Sequence, residues 1–499
     1  MTEALRTVAM QARPATREFN TSLARRLRQR HGSEIHLYCN SPEEVAYYRQ
    51  RNGDGVFASV TDGNVLLPTA VQPVTDADEV LAAARALETR IDATINSVAV
   101  ANRHVGRGFA LGGFGHPRSR YSEESNYLSM LQAYVAAFAF WERELSERGA
   151  TLLLNGDKIA ALTSRSLRVP YRAMAGSRFR NLHYWAWNEY YDNPRFAGAF
   201  ERAAGDSDLV LDQPYDAHMA NRAARLRQRR LAGVLKWMGS TTAHWAYGRI
   251  RGYAKARGYY LSDTLAYEWR TWSQERALRS MATTRLSHMQ GQSFVYFPLH
   301  VEPEAALQII SPEYLSQLNA ITSLSRDLPA GTVLAVKEAF GAIGRRPADF
   351  YRQIQEFKNV VLLETMELGL DCVRAADAVA TICGTAGLEG AAMGKPVIAF
   401  GRHNIYAVAP HVRTVRDESA LAPDLRWAIE GPHDRETMAR DGVRLLEAIA
   451  EESFDMRGYR YADPSKVDPE AVESAVAMLE ASVSDDGVGA GIQAGAEAG

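Results

Sequence analysis

Cysteine is nearly missing. The chain has 499 residues and three cysteines, Cys39, Cys372 and Cys383. Three scattered thiols build neither a disulfide framework nor a cysteine zinc site, and they point to a reducing compartment. Net charge is nearly missing too, at −2, so bulk attraction to a polyanion is excluded and any electrostatic function must be local. No run of about 18 apolar residues occurs, so no membrane-spanning helix is expected. The opening segment MTEALRTVAMQARPATREFN lacks the apolar stretch of a signal peptide. A cytoplasmic protein follows as the expectation, with peripheral contact at the inner membrane face left open. The phosphate-binding patterns GxxxxGK[ST] and GxGxxG are both absent, because Gly394-Lys395 runs into Pro396.

What is present is an α/β pattern. A hydrophobic content of 46% over this length predicts a soluble protein of two domains. The first thirty residues are polar and Arg-rich and read as a loose or helical lead-in. EIHLYC, VFASV, NVLLP and TLLLN read as strands of an N-terminal α/β domain. In SPEEVAYYRQ, Ser41, Pro42 and Glu44 are a helix-start signal. After Ser293 the alternation is plainer. FVYFPL, TVLAVKE, NVVLLET, AVATI and PVIAF are apolar runs separated by helical segments, which predicts five parallel strands covered on both faces. The expected division is 1–215 for the N-terminal α/β domain, 216–290 for a helical basic linker or insertion, 291–482 for the C-terminal domain, and 483–499 for a disordered Gly/Ala-rich tail.

The chemistry collects at three predicted strand ends. Ligands of open α/β sheets bind beyond the carboxyl ends of the strands. FPLHVEPE brings His300, Glu302 and Glu304 to one end, and VKEAF brings Lys337 and Glu338 to another. GTAGLEGAAMGKPVIAFG (Gly384–Gly401) follows a third. There Gly384 permits close approach of a ligand, Thr385 is expected to cap the next helix, and the free N–H groups of that helix start suit a phosphate. Glu389, four residues on, falls on the same helical face and is placed to accept ribose hydroxyls. Separately, Ala217–Ser262 contains ten Lys/Arg and no Asp or Glu. Its Arg222, Arg225, Arg229 and Arg230 are interleaved with Trp237, Trp245 and Tyr247, and Leu231, Val234, Leu235 and Met238 mark one apolar helical face. An anionic glycan, a lipid-linked acceptor or a membrane face would suit that segment; nucleic acid is not expected, since no nucleic-acid motif accompanies it.

PLHVEPE, the pattern VKE…G.RP..FY..I and GTAGLEGAAMGKPVIAFG together resemble the bacterial capsule polysaccharide biosynthesis family, which contains Kdo transferases. The similarity is best over about Phe294–Leu421, with LLNGDKIAA (Leu153–Ala161) the best fragment of the first half. The resemblance implies a GT-B architecture of two Rossmann-like domains. It implies transfer of a sugar from a nucleotide donor (CMP-Kdo in the characterised branch) to a surface polysaccharide or its lipid-linked primer, with no cofactor and no catalytic metal. It assigns donor binding to His300, Glu302, Glu304, Lys337, Glu338, Gly384, Thr385 and Glu389, and looks to the N-terminal domain for the catalytic base, where Asp157 is the candidate. The family's usual Lys-Glu-His-Pro is here Lys337-Glu338-Ala339-Phe340. Two other readings of the same architecture stay open: a non-hydrolysing nucleotide-sugar epimerase and a non-catalytic glycan-binding protein.

Overall fold

A computed structural model describes residues 3–214, 216–228, 230–250, 258–457 and 466–485. The expected α/β organisation is what it has: two mostly parallel sheets, each covered by helices. The first sheet contains β1 (Thr7–Gln11), β2 (Glu34–Cys39), β3 (Ser59–Asp62), β4 (Leu152–Leu154), β5 (Tyr171–Gly176) and β6 (Leu182–Ala186). The second contains β7 (Ser293–Pro298), β8 (Thr332–Lys337), β9 (Val360–Leu362), β10 (Ala378–Thr381), β11 (Val397–Ala399) and β12 (Val412–Thr414). A last short strand, β13 (Phe454–Asp455), returns to the first sheet. The orders are β13-β6-β5-β4-β1-β2-β3 and β12-β11-β10-β7-β8-β9. Only the β5–β6 and β6–β13 pairs are antiparallel.

Four expectations need correction. The supposed lead-in contains β1, which pairs with β2 on one side and β4 on the other. All five residues of TVAMQ are buried, but the Arg-rich flanks hid so short a run. NVLLP is not a strand; Leu66–Ala70 is a helical turn. The second sheet has six strands, because β12 extends it beyond β11. The chain end does not stay with the second sheet. The helix Pro469–Ser484 lies on the first sheet, where Trp185 Nε1 donates to Ala475 O at 2.9 Å and the buried Arg172 donates from Nη2 to Ser482 O at 2.6 Å. An amphipathic helix states its apolar face but not which sheet will cover it. Residues 486–499 of the expected tail lie outside the described residues.

The linker is helical as expected, with Asp216–Gln228, Leu231–Ile250 and Leu261–Met281 forming three helices. The first packs on the turn Phe340–Ala342 at the end of β8, so the linker roofs the carboxyl edge of the second sheet. The Gly-rich loop docks there too. Gly112 lies so close to the Glu302 carboxyl and Leu315 O that a Cβ would collide with both, and Phe114 covers Arg346 with its ring centre 4.3 Å from the guanidinium carbon. The loop Gly106–Ser119 thus packs between the two halves.

Candidate functional site

Three parallel strands end side by side, since β7 pairs with both β8 and β10. That register carries the polar residues after each strand to one edge. After β7, the His300 carbonyl accepts from Arg346 Nη2 at 2.7 Å and its N–H donates to Gln317 Oε1 at 2.8 Å. Gln317 in turn donates to Glu302 Oε1 at 2.9 Å. The His300 ring faces the Gly384 segment, its Nε2 accepting the Cys383 N–H at 3.2 Å. With Nε2 an acceptor, the neutral ring carries its proton on Nδ1, which is buried without a partner among the described residues. Burial, with Arg178 and Arg346 adding, pulls the His300 pKa down to about 3, so the ring is neutral. Glu302 is fully buried, and burial pushes its carboxyl up to about 7 against the pull of Arg346. Glu304 stands exposed at the rim, in the field of Arg178, Arg345 and Arg103.

After β8, the Lys337 ammonium is buried, donates to Glu338 O at 3.0 Å and lies 4.3 Å from the centre of the Phe340 ring. Burial lowers its pKa. Phe340, standing where the family has a proline, thus packs against the site's cation. Glu338 Oε1 accepts from Ala339 N at 2.9 Å, and its Oε2 accepts from Tyr351 OH at 2.6 Å and pairs with Arg346. It holds Arg346, which holds the His300 carbonyl.

After β10, the helix Thr385–Ala392 begins one residue earlier than expected, with Gly384 as N-cap and Thr385 as the first helical residue. Gly387 N–H donates to Gly384 O at 3.1 Å, which leaves the Thr385 and Ala386 N–H groups as the orphan donors that suit an anion. Gly384 is needed for approach: a Cβ there would lie 2.8 Å from Thr381 Oγ1 and 3.1 Å from His300 Nε2. The other glycines of the motif have packing roles. Gly387 abuts the Tyr406 ring, Gly390 abuts Val379 and Val397, and Gly394 ends the helix in the left-handed region at φ 67°. We expect Gly384→Val to displace His300 and the helix start. Ligand-induced thermal stabilisation should vanish, whereas Gly198→Ala, remote and facing only an Arg202 side-chain tip, should leave it unchanged.

Glu389 is 3% exposed. Burial pushes its pKa up to about 7 despite nearby Arg374, Lys337 and Arg178. Among the described residues, Glu302 Oε2 is a site carboxylate oxygen that is buried without a hydrogen-bond partner. The side chains the sequence did not single out are arginines that approach from far along the chain. Arg178, in the β5–β6 loop at φ 65°, donates from Nη1 to Cys383 O at 2.9 Å, bringing a cation from the first half to the residue before Gly384. Arg103 donates to Pro303 O at 2.7 Å; Arg345, by contrast, follows Lys337-Glu338 in the same stretch, where the sequence offers a cation for a phosphate, and donates to Glu302 O at 3.3 Å. Only clustering in an Arg-rich chain could have hinted at Arg178 and Arg103.

Two expected groups fall elsewhere. Asp157 is exposed and caps the helix Lys158–Ser166, its Oδ1 accepting Ala160 N at 3.0 Å and its Oδ2 taking Gln11 Nε2 at 3.4 Å. It lines a separate cavity of about 340 Å³ at the carboxyl edge of the first sheet, together with Arg13, Asn40, Tyr191 and, from the second half, Ile309. Arg222 is half-buried and donates to Met366 O at 3.4 Å, so it faces the second sheet's edge rather than open surface. Arg230 is exposed. Arg229 and the side chain of Arg225 lie outside the described residues. Among the described residues no cluster of His, Cys, Asp or Glu suits a metal ion, and no helix is long and apolar enough to cross a membrane.

The fold and site define a two-sheet α/β protein with a polar, arginine-rich cluster at the strand ends of its second sheet. The model of the capsule polysaccharide biosynthesis protein family matches residues 242–410, which include the ends of β7, β8 and β10. No curated protein matches the chain. Among solved structures it is similar to the KpsC beta Kdo 2,7 transferase of Thermosulfurimonas dismutans, at 14% identity over 68% of this chain and 88% of that one, with a TM-score of 0.31. It is similar to Anabaena HepE in complex with UDP and glucose at 10% identity over 96% and 100%, with a TM-score of 0.31. For the UDP-GlcNAc 2-epimerase of Neisseria meningitidis the identity is 11% over 89% and 98%, with a TM-score of 0.23.

Proposed function

We propose that the protein is a cytoplasmic glycosyltransferase of surface polysaccharide synthesis, of GT-B type, that takes a sugar from a nucleotide donor without a bound metal or cofactor. The observation that carries this reading is the convergence at Gly384: a helix start with no side-chain cap, the Arg178 guanidinium beside it, the buried Lys337 ammonium and the buried Glu389 carboxyl. In this reading the donor phosphate lies at the helix start, where backbone N–H groups, the helix dipole and Arg178 meet negative charge. Glu389 accepts hydroxyls of the ribose or the sugar. His300, neutral, presents its Nδ1–H, a donor that does not depend on pH near neutrality. A leaving nucleotide phosphate gathers charge as the glycosidic bond breaks, and fixed cations around it favour that change. The acceptor, a surface glycan or its lipid-linked primer, then enters from the first sheet's side, where Asp157 is placed at a cavity mouth to take its proton.

The test is nucleotide binding followed by turnover. CMP, UDP or GDP should raise the thermal midpoint by mass action, and CMP-Kdo with a glycan acceptor should give a lengthened glycan. Arg178→Gln should weaken nucleotide binding by roughly tenfold or more, as loss of a charge-assisted contact does, with the unliganded midpoint nearly unchanged. Conversion of a UDP-sugar with no acceptor would favour an epimerase. Glycan binding with no turnover of any nucleotide sugar would favour a binding protein. Neither nucleotide binding nor turnover would end the proposal.

A further inference from the structure

The helix Leu231–Ile250 has an outer face that nothing covers among the described residues. It is twenty residues long, yet only Val234 and Gly248 are buried. The expected single apolar face splits in two. Val234 is buried and Met238 half-buried, while Leu231, Leu235 and Ile250 are 43%, 53% and 84% exposed. At 100° per residue those three fall within one arc of about 100°. The exposure is regional. Of the twelve exposed large hydrophobic side chains among the described residues, eight lie between Met219 and Trp269.

Its charge is equally one-sided. Arg230, Lys236 and Arg249 are exposed on or beside this helix, and Arg249 lies 5.1 Å from the Trp245 ring centre. No carboxylate occurs between Ala217 and Ser262, and the first acid beyond, Asp263, is paired with Arg118 at 2.9 Å. Exposed leucine and isoleucine beside cations, with tryptophan and tyrosine between, is the composition of a helix lying in the plane of an anionic bilayer surface. A second copy fits badly, because a two-fold contact would set Lys236 and Arg249 against the same cations. Nucleic acid would engage the cations but leave Leu231, Leu235 and Ile250 in water.

We infer that the outer face of the helix Leu231–Ile250 docks the protein onto a membrane surface rich in anionic phospholipid. The preceding helix, Asp216–Gln228, roofs the strand-end site, and its His218 stands in the field of Arg178 and Lys337. Docking therefore sets that site beside the bilayer, where a lipid-linked acceptor would be presented. This last point rests on the proposed glycosyltransferase reading; the docking itself does not.

Flotation of the full chain with vesicles tests it. Vesicles of phosphatidylcholine with about 30% phosphatidylglycerol should bind about tenfold more protein than phosphatidylcholine alone, with binding falling as salt screens the cations. Leu235→Glu with Ile250→Glu should cut binding by about tenfold, and Lys236→Glu with Arg249→Glu should cut it severalfold. These side chains are exposed, so the thermal midpoint and its response to nucleotide should stay as in the parent protein; loss of that response in the parent would count against the enzyme reading alone. Equal binding to both vesicle types, unchanged binding by the Leu235 and Ile250 variants, or a parent dimer that those variants dissolve without any vesicle binding would each overturn the inference.

Discussion

Arg346→Met should lower the unfolding free energy by about 3–5 kcal/mol, the range for removing one partner of a buried ion pair. Arg346 is fully buried and paired with Glu338, itself 2% exposed. Its Nη2 donates to the His300 carbonyl, and its guanidinium carbon lies 4.3 Å from the Phe114 ring centre and 4.9 Å from that of Phe350. Methionine fills much of the volume and keeps contact with both rings. It strands the Glu338 carboxylate, left with only Tyr351 OH and Ala339 N as donors. Adding Glu338→Gln removes the stranded charge; its amide oxygen keeps the Ala339 N–H bond and its NH2 group donates to the Tyr351 oxygen, so the double variant should recover a large part of the loss. Denaturant midpoints of the four proteins in the cycle give the coupling directly. A single variant within about 1 kcal/mol of the parent would show that the pair is not the support argued here. The functional consequence is positional. His300 would lose the bond that fixes its carbonyl, so nucleotide affinity should fall in Arg346→Met although Arg346 touches no ligand.

That pair also shows what the sequence could and could not disclose. Strand ends were legible because a parallel strand buried on both faces is a short apolar run, and polar residues just after it, His300, Lys337 and Thr385 among them, stand out by contrast. The same logic stops short at Glu338. It has the same place in its motif, but its partners Arg346 and Tyr351 lie 8 and 13 residues on, and nothing in the local pattern says they fold back over it. Arg178 was harder still, because its partner Cys383 is 205 residues away. Such contacts are set by how two sheets meet, which periodicity does not encode. β1 was missed because three apolar residues among arginines make too weak a signal. The outward turn of Leu231 and Leu235 was missed for the opposite reason: an apolar stripe is read as buried by default, and here part of it is not.

Glu389 yields the sharpest pH prediction. Burial pushes its carboxyl from the usual 4.5 up to about 7. A shift of about 2.5 units corresponds to about 3 kcal/mol. Below about pH 4.5 the group is protonated in both folded and unfolded chains, and no penalty arises. Between about 4.5 and 7 the unfolded chain gives up the proton while the folded one keeps it, so this group's contribution to stability is lost as pH rises. Above 7 both forms are ionised and the loss is constant. The parent protein alone does not isolate the effect. Glu302, also raised to about 7, adds to it. His300, lowered to about 3, and His116 and His218, lowered to about 4, act in the opposite sense as pH falls below 6.5. The difference between Glu389→Gln and the parent cancels those groups. Relative to the parent, the glutamine variant should gain up to about 3 kcal/mol between pH 5 and pH 8, read from denaturant midpoints. Parallel stabilities across that range would refute the burial argument. Nucleotide should then compress the difference: ribose hydroxyls donated to Glu389 favour its ionised form, so binding to the parent should tighten as pH rises through 7, whereas binding to the glutamine variant should show no such rise.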